Sequence, residues 1–282
     1  MTEDFHYSMA EKSSEIEISA ISRDSESIFV GTGLQTREER KTDEVIREEE
    51  VVVRIDREIH EFYCIPTDLE EMILGNLKSR GINPSFSKIR KIADNEFNVD
   101  LLFVKGLIKN PQPCESKEKL TSKEVFDSVE MLNANGFLYK KTGCTHVIGI
   151  CGDILPKGKN LEGVTMNQFE FAHSGKFVED TSRHCAIDKA IGLAIRAGID
   201  LSNSFLVTSC RQTASTIKKA IFCGIPIVIS IAAPTDLAVK EANKYGITLI
   251  GFADSKRFNI YSHDWRITSP SLSLEGRGMR WG

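Results

Sequence analysis

Two short stretches crowd a thiol, an imidazole and hydrogen-bonding groups together: Thr142-Gly143-Cys144-Thr145-His146 and Glu179-Asp180-Thr181-Ser182-Arg183-His184-Cys185-Ala186-Ile187-Asp188-Lys189. A third, Thr208-Ser209-Cys210-Arg211-Gln212-Thr213, sets a guanidinium among hydroxyls. Arg183-His184 falls where a loop enters a helix, and Arg211 where a buried strand hands over to the next helix. Free backbone N–H groups at a helix start, joined by a planar bidentate donor, favour an anion. Asp188 stands four residues after His184, the spacing at which a carboxylate accepts from an imidazole, and Lys189 adds a cation about one turn in. A solvated, charged first turn and an ordinary surface salt bridge at Arg211 remain open alternatives. Together the three stretches read as one site for an anionic ligand, assembled from element ends.

Cys144 and His146, two apart on an expected strand, would share one face. They read either as a functional pair or as a buried small thiol beside an imidazole bonded to backbone. No second pair at zinc spacing accompanies them, and the His-x-Glu with Pro-Cys-x-x-Cys pattern of zinc deaminases is missing, so no metal site is expected. Cys114 differs from the other thiols. Pro111 and Pro113 put it in a loop, and Lys117 is near enough in sequence to favour a thiolate. Cys64, Cys151 and Cys223 sit in apolar runs and read as packing.

The elements that must carry these groups follow from periodicity. Val51–Ile55 and His60–Ile65 read as a hairpin, and a helix opens at Pro66-Thr67-Asp68 with Thr67 as cap, Glu70 three residues on, and Gly81 as stop. Residues 86–105 return to strands, clearest over Phe97–Val104. Ser122 is the expected cap of a helix over Lys123–Asn133. Strands at Thr145–Cys151 and Gln168–Val178 flank a variable loop. Helices at Arg183–Ala197, Ala214–Cys223 and Asp236–Tyr245 are each followed by glycine, and alternate with strands at Ser204–Thr208, Pro226–Ile231 and Ile247–Phe252. The β-branched run at Pro226–Ile231 suits a central strand covered on both faces. This alternation calls for a three-layer α/β sandwich, in which ligands collect at strand ends where loops enter helices.

Composition narrows the rest. In 282 residues, 41% hydrophobic and 27% charged, the formal net charge is −4. Residues 1–50 alone carry −8 and the remainder +4, which suits anionic small ligands better than long nucleic acid. Seven cysteines without a Cys-x-x-Cys pair, and no signal peptide, point to free thiols in a cytoplasm. The longest apolar stretch, Ala220–Ala233, is interrupted by Gly224, Pro226 and Ser230, so no membrane span is expected. Residues 1–47 form an acidic tail expected to stay without regular structure, followed by a small α+β unit at 48–120, an α/β domain at 121–268 and a tail at 269–282.

The assembled motifs resemble the FdhD family, the sulfurtransferases that serve formate dehydrogenases. The resemblance spans about residues 48–264. It rests on the three stretches above, on Ala233-Pro234-Thr235-Asp236-Leu237-Ala238-Val239, and on Gly246-Ile247-Thr248-Leu249-Ile250-Gly251-Phe252 with Arg257-Phe258-Asn259-Ile260-Tyr261. It implies a cytidine-deaminase-like α/β fold without the zinc, and a homodimer. It implies a sulfur carrier that takes persulfide sulfur from a cysteine desulfurase. The sulfur passes to a molybdenum or tungsten bis(pterin guanine dinucleotide), bound as substrate with GDP as its mimic, before insertion into formate dehydrogenase. No tightly held cofactor is implied. Cys114 takes the carrier position, although the family's Cys-Gly-x-Cys-Gly loop is here reduced to that one thiol. Phe252, Ala253, Asp254, Ser255, Lys256 and Arg257 match the family's cofactor-binding stretch, to which Arg211, Arg183, His184, His146 and Lys189 add positive or polar groups. Phe252 and Phe258 are candidate stacking surfaces. Ser182 and Cys210 stand where the family commonly has glycine. The alternative is a binding module that holds the dinucleotide without transferring sulfur.

Overall fold

The computed structural model describes residues 13–23, 36–102, 110–154 and 174–268. It begins with β1 (Ser13–Arg23) and β2 (Thr36–Ile46), paired antiparallel from Ser13↔Ile46 to Arg23↔Thr36. The expectation that residues 1–47 carry no regular structure is therefore corrected for these two segments; residues 1–12, 24–35 and the 269–282 tail lie outside the described residues. A ladder is made by backbone N–H and C=O groups, so a scarcity of apolar side chains does not forbid it. An ion pair from Lys141 to Glu44 ties β2 to the body.

β3 (Glu49–Ile55) and β4 (Glu58–Cys64) form the expected hairpin, with Val51, Val53 and Ile55 alternating inward. Helix α1 (Leu69–Ser79) follows, then β5 (Ser87–Ala93) and β6 (Glu96–Leu101), which completes a four-stranded sheet of order β4-β3-β6-β5. The expected Thr67 cap is not used. Asp68 stands at the cap with φ 52 and no side-chain cap bond, while Thr67 is buried. Met72, Ile73 and Leu77 of α1 fill the space over Val51, Val53, Phe97 and Val99.

The remaining chain runs β7 (Leu120–Thr121), α2 (Ser122–Ala134), α3 (Phe137–Thr142), β8 (His146–Ile154), β9 (Ser174–Asp180), α4 (Arg183–Ala197), β10 (Ile199–Thr208), α5 (Ala214–Cys223), β11 (Ile227–Ser230), α6 (Asp236–Tyr245), β12 (Thr248–Gly251), β13 (Asn259–Ser262) and β14 (Ile267–Thr268). Thr121 rather than Ser122 caps α2, in a reciprocal capping box with Glu124. The six-stranded sheet has the order β13-β12-β11-β10-β8-β9; β10, β11 and β12 are parallel and the outer pairings antiparallel.

Period-two alternation distributes this sheet's side chains to two cores. Ile148, Ile150, Leu206, Val228 and Leu249 face α4, α5 and α6. Val147, Phe205, Val207, Ile227, Ile229 and Ile250 face Val125, Val129 and Leu132 of α2. Each such fully buried aliphatic contributes roughly 1.5–3 kcal/mol. Beyond α4 lies α1, and here the backbones touch. A Cβ at Gly192 would stand 1.9 Å from the Glu71 carbonyl oxygen, and one at Gly75 1.8 Å from that of Asp188. The small unit is thus docked on the body through a glycine-lined helix crossing. Among the described residues no helix is long and apolar enough to cross a membrane.

Candidate functional site

The carboxyl ends of β10, β11 and β12, the end of β9 and the start of β8 all reach one edge of the large sheet, where α4, α5 and α6 begin. His146 is the ladder partner of Asp180, so the two side chains share a face, the one covered by α4. Asp180 is buried beneath it, and Ser182 caps α4 by accepting from the Cys185 N–H at 3.4 Å. Arg183 and His184, next along, are half-buried. Burial, then Arg183 and, more weakly, Arg211 hold the His146 imidazole below its ordinary pKa, with Asp180 opposing. His184 is lowered by burial first and then by Lys219 and Arg183. The edge therefore gathers uncharged imidazoles among cations. Among the described residues neither Arg183 nor Arg211 has a carboxylate partner, and Arg183 Nε is buried without any acceptor. A buried donor without an acceptor is a place for a ligand atom.

Other expected members are spent on structure. Lys189 is fully buried, and its Nζ lies 2.6 Å from both Asp180 Oδ2 and the Ile65 carbonyl oxygen. The reading of Lys189 as a ligand contact is corrected: it bolts α4 to the segment after β4. Asp188 is buried too, but it accepts from Asn76, Ser79 and Lys219 rather than from His184. Glu179 receives the Leu138 and Tyr139 N–H groups at the start of α3 and the Thr145 hydroxyl. Cys144 precedes β8, exposed after the left-handed Gly143, so it does not share a strand face with His146.

The two positions where the family commonly has glycine leave the edge open. Ser182 has φ −92, within reach of any residue. The Cys210 side chain is buried, its Sγ 3.0 Å from Thr208 Oγ1, so its bulk lies in the core. Past β12 the chain turns at Phe252, which has φ 52 and is 42% exposed. Asp254 then accepts from the Lys256 and Arg257 N–H groups, forming a tight turn that leaves Ser255, Lys256 and Arg257 exposed, with Ala253 buried beneath. Phe258 is no open stacking surface, because it packs on Phe126 at 5.2 Å between centroids.

Cys114 is not at this edge. Its N–H donates to the Tyr245 carbonyl at the end of α6, and it borders a cavity of about 620 Å³ with Asn203, Cys223 and Gly224. From Asn203 to Thr208 is about 17 Å of strand, at roughly 3.3 Å per residue. The cation beside its sulfur is Arg266 Nη2, at 3.9 Å, whereas Lys117 is exposed and has no partner among the described residues. Residue spacing could not reveal Arg266, which lies 152 positions away. It also could not reveal that the free Cys64 and Cys185 thiols face each other, a hydrogen bond between them raising the Cys64 pKa and lowering that of Cys185. A second cavity, of about 870 Å³, lies between α1, β5 and α4, and its Arg47, Lys91 and Arg196 are already paired with carboxylates.

Residues 169–268, which hold most of this edge, match the FdhD/NarQ family. A sulfur carrier protein FdhD of Methanothermobacter thermautotrophicus is 30% identical over 249 residues, covering 81% of this chain and 93% of that relative. The chain belongs to the FdhD/NarQ family. Another FdhD/NarQ relative, the sulfur carrier protein FdhD of Bacillus pumilus, is 29% identical over 258 residues, 81% of this chain and 92% of its own. The crystal structure of a Desulfotalea psychrophila protein, taken to be a formate dehydrogenase accessory protein, superposes with a TM-score of 0.66 over 90% of this chain and 99% of that one. At 20% identity that likeness concerns the fold alone.

Proposed function

We propose that this FdhD/NarQ member is a sulfur carrier in formate dehydrogenase maturation, with Cys114 as the carrying thiol and the His146–Arg183–Arg211 edge as the seat of an anionic dinucleotide substrate. The observation that carries the substrate site is the unpaired, buried Arg183 Nε beside a second arginine without a carboxylate partner. Phosphate oxygens supply acceptors of the right charge and geometry for both guanidinium groups. The half-exposed Phe252 offers a face for a base, and the 254–257 turn offers exposed cations. The family resemblance gives the finer reading: a molybdenum or tungsten bis(pterin guanine dinucleotide) as substrate, a cysteine desulfurase as donor, formate dehydrogenase as client, and a cytoplasmic homodimer of cytidine-deaminase-like fold.

In the receiving step, the Cys114 thiolate attacks the outer sulfur of a donor persulfide. The donor S–S bond breaks with its electron pair on the donor thiolate, and a new S–S bond forms at Cys114. No oxidant is consumed. Receipt and delivery then take place at different positions, because Cys114 sits at the opposite edge of the sheet from the substrate seat. That separation is also what favours the second reading, a binding module without transfer.

Calorimetric titration with GDP tests the seat. Binding that weakens with salt is expected, and Arg211→Ala costs ten- to a hundredfold, as the loss of one charge-assisted contact of about 1.5–3 kcal/mol does. Arg211→Lys also weakens binding, because it keeps the charge and loses the fork. Absence of heat in folded, ligand-free protein overturns the assignment.

A further inference from the structure

Arg266 is 1% exposed, and its charge is not met by a carboxylate among the described residues. Its donors fan out instead to two segments. Nη1 reaches the Gly246 carbonyl at 2.8 Å and Thr248 Oγ1 at 3.2 Å, which fixes it to the start of β12. Nη2 reaches the Ser116 carbonyl at 3.2 Å and Cys114 Sγ at 3.9 Å, on the carrier segment. Nε is buried with no partner among the described residues, and the guanidinium lies 4.2 Å from the ring centroid of Trp265. Burial lowers its pKa, and Cys114 is the one titratable neighbour acting in the other direction. A desolvated cation with one donor unpaired calls for an anion, and the group in its shell able to become one is the sulfur of Cys114.

Cys114 has this cation beside its sulfur and also lines the 620 Å³ cavity, whose lining does not include Arg266. We propose that Arg266 is the positioning residue of the sulfur carrier: it clasps the 114–116 segment to the start of β12 and supplies the fixed positive charge against which sulfur at Cys114 accepts and holds negative charge. The inference rests on the sulfur-carrier reading. In the receiving step the attacking thiolate and the resulting perthiolate are both anionic, so one buried cation serves both sides of the reaction. Thr248 Oγ1 and the Gly246 carbonyl hold the guanidinium independently of its contacts to the carrier segment.

The test is the pH profile of Cys114 alkylation by iodoacetamide in the full chain, read peptide by peptide by mass spectrometry with exposed Cys144 as internal reference. Arg266→Gln keeps hydrogen-bond donors without charge, and Arg266→Lys keeps the charge without the fork. Arg266→Gln is expected to slow alkylation at pH 7 about tenfold while leaving the rate at high pH and the Cys144 profile unchanged. Arg266→Lys is expected to restore most of the rate. Equal Cys114 profiles in wild type and folded Arg266→Gln overturn the proposal, as does an equal slowing at Cys144, which shows that the loss does not depend on the Arg266–Cys114 contact. Should Arg266→Gln fail to fold, the Arg266→Lys profile decides: a neutral-pH rate matching wild type upholds the electrostatic role, and a tenfold loss with the charge retained overturns it. Sulfur loading from a desulfurase with cysteine separates the two claims. Wild type that takes no sulfur yet shows the Arg266-dependent profile refutes the carrier reading and leaves the electrostatics standing. Wild type that loads while its profile ignores Arg266 does the reverse.

Discussion

Replacing Lys189 with methionine removes a buried charge while keeping an unbranched chain of similar length, so packing around α4 is little disturbed. Asp180 is then left at 0% exposure with the Ser182 N–H at 2.8 Å but without its cation. The Ile65 carbonyl also loses its Nζ donor. Breaking a buried pair from one side costs about 3–5 kcal/mol, a large part of the roughly 5–15 kcal/mol that holds a domain folded. Burial already raises the Asp180 pKa despite Lys189, and without the lysine it rises further. A carboxyl whose folded pKa lies above its unfolded value is penalised more as pH rises toward the folded pKa, so the deficit is larger at pH 7 than at pH 5. Urea denaturation of both proteins at the two pH values measures it, and GDP titration of the folded variant is expected to match wild type. A loss under about 1 kcal/mol combined with weakened GDP binding refutes the reasoning, because it returns Lys189 to the ligand.

Gly192→Ala drives a methyl into the Glu71 carbonyl, so α1 and α4 must separate; a loss of about 1–3 kcal/mol or more is expected in thermal or urea unfolding, and an unchanged midpoint contradicts the helix crossing. His146 and His184 both have lowered pKa values in the fold, so the unfolded chain binds more protons below about pH 6.5 and stability falls as pH drops from 7 toward 5. A melting temperature that rises over this interval contradicts those burials. Because a bound anion favours the protonated imidazole, GDP affinity is expected to increase as pH falls through the same window, and a flat profile removes His146 from the seat.

The three helices that begin at the His146–Arg183–Arg211 edge are legible to the residue. α4, α5 and α6 each end at a glycine with φ between 73 and 76, and a Ser or Thr stands at each start. Local chemistry fixes such boundaries. The central placement of β11 follows from its nearly pure β-branched run. What stayed hidden depends on distant partners. The identity of Lys189 says nothing of the Ile65 carbonyl, 124 residues away, that it holds. Phe258 reads as a free aromatic until Phe126 is placed against it. The β1–β2 ladder is hard to read from the sequence because β2 is wholly polar up to Val45 and Ile46, although β1 alternates Ile16, Ile18 and Ala20 with Glu15, Glu17 and Ser19. Cys114 is legible as a loop thiol from Pro111 and Pro113, but only the fold shows at which edge that loop lies.

Sulfur carriage at Cys114 is the central claim. It is tested most directly by incubating the full chain with a cysteine desulfurase and cysteine, then mapping persulfide by peptide mass spectrometry without reductant. The expected result is a mass increase of one sulfur atom on the Cys114 peptide, lost in Cys114→Ala while the variant stays folded and binds GDP as wild type does. Sulfur found on Cys144 or another thiol, with Cys114 unmodified, contradicts it.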